Sequence, residues 1–117
     1  MQPLHGRFFL LFFCFAFLFA LFPVFARADT QDGYVYTVSG GKATITDYTG
    51  AGGAIVLPAA LGGYPVESIG DYAFTGRSEL TGVAMPETLL HIGKYAFDLC
   101  SNITNVTIGA NVQLSLI

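Results

Sequence analysis

The chain has 117 residues, of which 53% are hydrophobic, and its eight acidic and five basic residues give a formal net charge of −3. Arg7 and Arg27 flank an apolar N-terminal segment, so residues 29–117 keep three basic residues (Lys42, Arg77 and Lys94) against all eight acidic ones, a net charge of −5. The basic stripe that phosphate contacts require is absent from this sequence, which excludes nucleic acid and anionic lipid as expected partners.

The first 28 residues have the organisation of a secretory leader. Phe, Leu and Ala dominate residues 8–25, and Ala26-Arg27-Ala28 supplies the small-x-small pattern of a signal-peptidase site. We predict cleavage between Ala28 and Asp29. The apolar run exceeds the roughly 7 to 15 residues of a usual signal core and approaches the ~17 that span a bilayer, so a retained anchor stays open as the alternative. Either way the sequence predicts export, with membrane contact only through this segment.

Residues 29–54 are predicted to form an N-terminal β-hairpin cap followed by a glycine-rich loop. The β-prone runs 34–38 and 43–46 flank Gly40-Gly41, and glycine reaches the positive φ angles that tight hairpin turns require. A solenoid end exposes apolar side chains and unpaired strand edges, which a distinct terminal element hides.

Residues 69–91 and 92–114 are two copies of one 23-residue unit, with eight identical positions. Ile-Gly-x-Tyr-Ala-Phe opens each copy, and the pattern Leu80-x-x-Val83-x-Met85 returns as Ile103-x-x-Val106-x-Ile108. A period of roughly 20 to 29 residues with apolar positions in this arrangement is typical of leucine-rich repeats, whose units bury their apolar faces only by stacking on neighbours. We therefore predict a mainly β fold, a leucine-rich-repeat solenoid over residues 55–117, with Phe74 and Phe97 stacked in its core.

The solenoid is expected to contain about two and a half turns, fewer than the three or more that such arrays normally need. Five extra residues around positions 61–65 lengthen the first turn and are expected to form a surface loop. Residues 112–117 break off partway into another turn without a polar cap, which suggests a truncated piece of a longer array. Because an unpaired parallel edge recruits further strands, we expect self-association through the C-terminal edge.

The repeat and its flanks carry a family resemblance. Ile-Gly-x-Tyr-Ala-Phe with the following L-x-x-V-x-M-P strand, the hairpin with Ser-Gly-Gly-Lys, and the Gly-Tyr-Pro-Val entry resemble BspA-like leucine-rich repeats over residues 33–112. That family often has Gly-Cys after the Ala-Phe turn, whereas this chain has Gly76-Arg77 and Leu99-Cys100. The resemblance implies an exported adhesion or ligand-binding module, in some members directed at host matrix proteins or other bacteria.

No catalytic, cofactor or metal site is predicted. His91, the one histidine after the leader, is expected to point outward from a short strand. After the leader, which contains Cys14, Cys100 has no second cysteine for a disulfide and no companion ligands at zinc spacing. The isolated acids Asp71 and Asp98 are expected to cap bends. The glycines near Lys42 are read as turns, since Ala43 stands where a phosphate loop needs Ser or Thr.

The candidate ligand face consists of small side chains that alternate with the apolar strand positions and so point outward. Its members are Thr81, Ala84, Thr104, Asn105 and Thr107, in a row that also includes Gly82, and Tyr72 and Tyr95 are added as half-exposed aromatic groups. Asn102 and Asn105 also begin glycosylation sequons, which matter only in a eukaryotic source.

Three functional classes remain open, in this order of preference. The first is an adhesion or binding module whose partner is a host or neighbouring-cell surface protein or glycan. The second is a structural spacer within a larger surface protein. The third is a secreted enzyme with its catalytic part elsewhere, which the shortage of paired titratable residues disfavours.

Overall fold

The computed structural model describes residues 28–109 and the backbone of a short strand at 115–116. Strands and turns make up this part of the chain, which includes no helix that could cross a membrane. The predicted leader lies outside the described residues except for Ala28. The strands are β1 (Asp29–Gln31), β2 (Tyr34–Ser39), β3 (Lys42–Tyr48), β4 (Gly53–Val56), β5 (Ala60–Leu61), β6 (Tyr64–Ile69), β7 (Leu80–Ala84), β8 (His91–Ile92), β9 (Asn105–Thr107) and β10 (Ser115–Leu116).

Two parallel ladders run along the repeats, and successive turns of the chain add a strand to each. Sheet A has the strand order β1-β2-β3-β6-β8-β10, with β5 paired to β6, and sheet B has the order β4-β7-β9. Ile69 lies beside Ile92 in sheet A, and Val83 lies beside Val106 in sheet B. Both pairs are one 23-residue repeat apart. The predicted mainly β repeat solenoid is therefore confirmed.

The predicted hairpin is present, and it is continuous with the solenoid. Strands β2 and β3 pair antiparallel around Gly40 and Gly41, which have φ angles of +59° and +75°. The second strand also pairs in parallel with β6, which places Ile45 beside Ile69. Strand β3 thus serves as the first rung of sheet A, in addition to the turns counted from residue 55.

The five-residue insertion forms a small hairpin. Strand β5 pairs antiparallel with the start of β6, and the turn between them uses Gly62 and Gly63 at φ angles of +59° and +84°. Leu61 is fully buried. A two-residue glycine turn flanked by Leu61 and Tyr64 is a hairpin signal, and the expectation of a surface loop overlooked it.

An aromatic stack fills the interior. The rings of Phe74 and Phe97 lie 4.9 Å apart between centroids and 11° from parallel, as the repeat phase predicts. Tyr48 follows on the other side of Phe74 at 5.6 Å, and Tyr34 packs against Tyr48 at 4.8 Å. Phe74 is fully buried, whereas Phe97 is only partly buried. Phe74 and Phe97 therefore occupy equivalent positions of the repeat but differ in how deeply they are buried.

The bends after β6 and β8 also stack on each other. The backbone N–H groups of Tyr72, Phe74 and Gly76 donate to carbonyls one repeat later, at 3.0, 2.7 and 2.8 Å. The Asp71 carboxylate accepts a hydrogen bond from the Lys94 N–H at 2.7 Å, which confirms its expected capping role. Asp98 contributes its backbone carbonyl to the bend, as the acceptor for Gly76.

Three positions differ in burial from what the strand alternation in the sequence predicts. Val106 and Ile108, expected to point inward, are 51% and 50% exposed, because no described residue packs over the last rung. Gly82, expected in the outer row, is buried. It has no side chain to project, and its partners Ala54 and Asn105 lie directly on either side of it.

Candidate ligand-binding surfaces

The outer face of sheet B carries the predicted ligand row. Thr81, Thr104, Asn105 and Thr107 are exposed, and Ala84 is half-buried. Register places Ala84 beside Thr107 on β9 and beside Val56 on β4. Val56 is 74% exposed, and the sequence analysis missed it because β4 lies before the recognised repeat.

Part of this row is engaged in holding the rungs together. The Thr104 N–H donates to the Thr81 carbonyl at 3.0 Å, and its hydroxyl donates to the same oxygen at 3.4 Å. The Asn102 side-chain amide donates to the Ser78 carbonyl at 2.6 Å. The side chains of Thr81, Asn105 and Thr107 make no hydrogen bond to any residue in the range 28–109, since Thr81 engages Thr104 only through its backbone carbonyl. The face therefore offers a ligand three polar side chains, while Thr104 serves the contact between rungs.

Tyr72 and Tyr95 form an exposed aromatic pair on the stacked bends. Their rings lie 5.3 Å apart at 23°, and the side chains are 57% and 61% exposed. Both backbones are left-handed, with φ angles of 60° and 55°. This conformation costs an L-residue about 1–2 kcal/mol, and for a bulky residue it is uncommon. Burial does not explain tyrosine here, because more than half of each side chain faces solvent.

A second surface, which the sequence analysis missed, lies on sheet A. Thr44, Ser68 and His91 stand side by side on β3, β6 and β8, and their apolar neighbours Ile45, Ile69 and Ile92 point the other way. His91 is exposed, as predicted. These three side chains line an open groove of about 420 Å³ together with Asp71 and the backbone of Gly70 and Gly93.

The groove has unused hydrogen-bonding capacity. The side chains of Thr44, Ser68 and His91 make no hydrogen bond to any residue in the range 28–109. Its floor depends on glycine, since a Cβ on Gly93 would lie 2.6 Å from the Asp71 nitrogen. A 23- to 24-residue recurrence of polar residues at 44, 68 and 91 was the available sequence signal.

The grouping of Ser68, His91 and Asp71 lacks the contacts of a hydrolytic triad. Such a triad needs the hydroxyl bonded to the imidazole and the carboxylate orienting the ring. Among the described residues Ser68 and His91 share no hydrogen bond, and the Asp71 carboxylate accepts instead from the Lys94 N–H. No cluster of three or more potential metal ligands occurs within the described part of the chain.

Cys100 belongs to the interior. Its Sγ lies 2.9 Å from the Phe74 carbonyl, which it contacts as a donor. Burial raises the pKa of this thiol, which opposes formation of the reactive thiolate. Burial, and then Tyr48 and Asp32, likewise raise the pKa of Tyr34 to about 12, so that hydroxyl stays protonated and donates to the Val56 carbonyl at 3.2 Å.

The last described rung leaves an apolar cavity of about 410 Å³. It exposes the interior of the stack rather than a polar site. Its lining consists of Val83, Met85, Ile92, Phe97, Cys100, Ile103 and Val106.

Known proteins share the repeat and the fold. Residues 62–115 match the family described as a BspA type leucine rich repeat region (6 copies). None of the curated proteins compared with the chain matches it.

Three solved structures are similar to the chain. A leucine-rich repeat protein of T. pallidum shares 28% identity over 74% of this chain, with a TM-score of 0.66. One from Bacteroides capillosus shares 29% over 73% (TM-score 0.65), and a leucine rich cell surface protein from Faecalibacterium prausnitzii shares 33% over 80% (TM-score 0.66). The chain spans 41%, 67% and 31% of their respective lengths. Their descriptions name repeat and surface proteins and no enzymatic activity.

Proposed function

Because residues 62–115 belong to the BspA-type leucine-rich repeat family, we propose that this chain is an exported adhesion or ligand-binding module, secreted or held at the cell surface. It acts through protein or glycan contacts on a face of the repeats. Export rests on the predicted leader, and the surface location is supported by one structural neighbour that is described as a cell surface protein.

The observation that carries this proposal is the regular repetition of exposed groups across rungs. Tyr72 and Tyr95 recur at one repeat spacing with their rings stacked and exposed. Strand positions recur in the same way, with Thr81 beside Thr104 and Ala84 beside Thr107. A surface built from parallel rungs presents equivalent groups to an extended partner, which is how solenoids bind.

A structural spacer is the second candidate function. The Thr104 side chain and backbone both bond to Thr81, so part of the predicted ligand row holds rungs together. A spacer needs that cohesion and no ligand.

Solid-phase binding separates the two functions. Protein purified after expression of the full 117-residue chain is applied to immobilised host matrix proteins, mucin and a panel of glycans. A binding module gives saturable binding that Tyr72→Ala together with Tyr95→Ala, or Asn105→Ala together with Thr107→Ala, weakens. Absence of binding to every surface, by protein whose circular dichroism shows it folded, supports the spacer.

A further inference from the structure

We propose that the groove on sheet A is a binding site for a segment of uncharged polysaccharide, with the exposed side chains of Tyr72 and Tyr95, which follow groove residues along the chain, as an additional aromatic contact. This inference rests on the proposed binding function and specifies its site and ligand class.

The groove offers the polar groups that a sugar chain needs. Thr44, Ser68 and His91 project from three adjacent parallel strands, and none is consumed by a bond to residues 28–109. Neighbouring strands lie about 4.8 Å apart, so a linear polymer laid across them meets a hydroxyl or imidazole at each rung. Hydroxyl and imidazole groups donate and accept, which suits ligands that present both functions.

The aromatic pair lies next to these groups along the chain. Tyr72 follows Asp71, a groove residue, and Tyr95 lies two residues after Gly93 in the groove floor. The negative faces of aromatic rings attract positively polarised C–H groups, which pyranose rings carry. Each tyrosine keeps more than half its surface exposed after stacking on the other. Residues that are held in uncommon backbone conformations, and whose side chains are not buried in compensation, are often found at binding sites.

The charges favour an uncharged ligand. Asp71 contributes the one carboxyl group among the side chains that line the groove, and residues 29–117 carry a formal net charge of −5. Beside the groove, Lys42 is paired with Glu67 at 3.4 Å. A sulfated or uronic acid polymer would therefore meet repulsion.

The groove shape favours a glycan over a protein. Protein interfaces depend on anchors such as Trp, Tyr and Arg that enter desolvated pockets. The groove is open rather than a closed pocket, and Thr44, Ser68 and His91 supply polar groups to a lining whose exposed surface is mainly apolar. Its volume of about 420 Å³ falls within the ~300–1,000 Å³ usual for small-ligand sites, so it accommodates a short oligosaccharide segment.

The test measures binding to soluble β-glucan, mannan and chito-oligosaccharides, with a sulfated glycosaminoglycan and immobilised matrix proteins as the other arms. Isothermal titration is applied to protein from the full 117-residue chain and to three paired variants. Ser68→Ala with His91→Ala and Tyr72→Ala with Tyr95→Ala alter the proposed site, and Asn105→Ala with Thr107→Ala alters sheet B. Glu87→Gln, an exposed change outside both surfaces, is the matched control.

We expect at least one uncharged glycan to bind. Each site pair should weaken it by at least about tenfold, corresponding to about 1.4 kcal/mol, and Glu87→Gln should leave it unchanged. Thermal melting confirms that each variant is folded, and Ser68→Thr, which keeps the hydroxyl, should retain more affinity than Ser68→Ala.

Three outcomes would overturn the inference. Glycan binding lost only in the sheet B pair would move the site and leave the proposed function standing. Binding confined to matrix proteins or to the sulfated polymer would reject the ligand class while also leaving that function. Absence of any binding would reject both the inference and the proposed function.

Discussion

Truncating the two stacked phenylalanines should destabilise the protein unequally. Phe74 is fully buried between Tyr48 and Phe97, at ring-centroid distances of 5.6 and 4.9 Å. Phe74→Ala therefore removes a whole buried ring and two ring contacts, for a loss of about 3–5 kcal/mol. Phe97 is partly buried and contacts one of these rings, so Phe97→Ala should cost about half as much.

The assay is urea unfolding followed by far-ultraviolet circular dichroism. A loss of this size is comparable to the total stability of about 5–15 kcal/mol typical of a domain, so Phe74→Leu provides a milder second variant at the same site. Tyr95→Ala is the matched exposed control and should cost no more than about 1.5 kcal/mol, the upper value of an aromatic pair. Equal losses at Phe74 and Phe97, or losses below about 1 kcal/mol at both, would refute the stacking order.

Three further predictions follow from particular residues. Amino-terminal sequencing of exported protein should begin at Asp29, where β1 also begins, and a chain that still carries residues 8–25 would contradict the cleavage site and favour the anchor. Gly93→Ala should lower the urea midpoint of unfolding more than Gly70→Ala. The Cβ added at Gly93 would lie 2.6 Å from the Asp71 nitrogen, whereas the Cβ added at Gly70 would lie 3.3 Å from the Ile45 oxygen. Equal midpoints for the two variants would contradict this prediction. We also propose that the protein self-associates through its C-terminal edge and apolar cavity. Sedimentation should then show oligomers, and adding one repeat with a polar cap after Val112 should restore a monomer. A monomer without that addition would contradict the proposal.

The repeat allowed much of the fold to be predicted from the sequence. A fixed 23-residue phase places Phe74 over Phe97 and Val83 beside Val106 without any knowledge of long-range contacts. The hairpin followed from Gly40-Gly41, since positive φ angles are a local requirement. Both inferences depend on periodicity or on short-range stereochemistry.

The groove could not be read from the same periodicity. Thr44 belongs to the hairpin, outside the recognised repeat, and becomes a neighbour of Ser68 only because β3 pairs with β6. That pairing spans 24 positions rather than 23 and shifts register at Ala43, so aligning the copies does not reveal it. His91 was correctly predicted to point outward, but its neighbours come from strands whose pairing is a tertiary property.

The burial of side chains at the last rung likewise depends on tertiary packing. Alternation predicted inward-facing Val106 and Ile108, and alternation fixes direction but not burial. With no described residue packed over the last rung, both remain half exposed.

Nuclear magnetic resonance can show, residue by residue, whether the stacked repeats present a binding surface formed by the groove and the tyrosine pair. ¹⁵N-labelled protein is titrated with the uncharged oligosaccharide that binds best, and amide shifts are followed at each rung. We expect the amide shifts to be concentrated at Thr44, Ser68, His91, Tyr72 and Tyr95, and residues of sheet B such as Ala84 to be unchanged. Shifts concentrated on sheet B, or no shifts at saturating oligosaccharide, would contradict it.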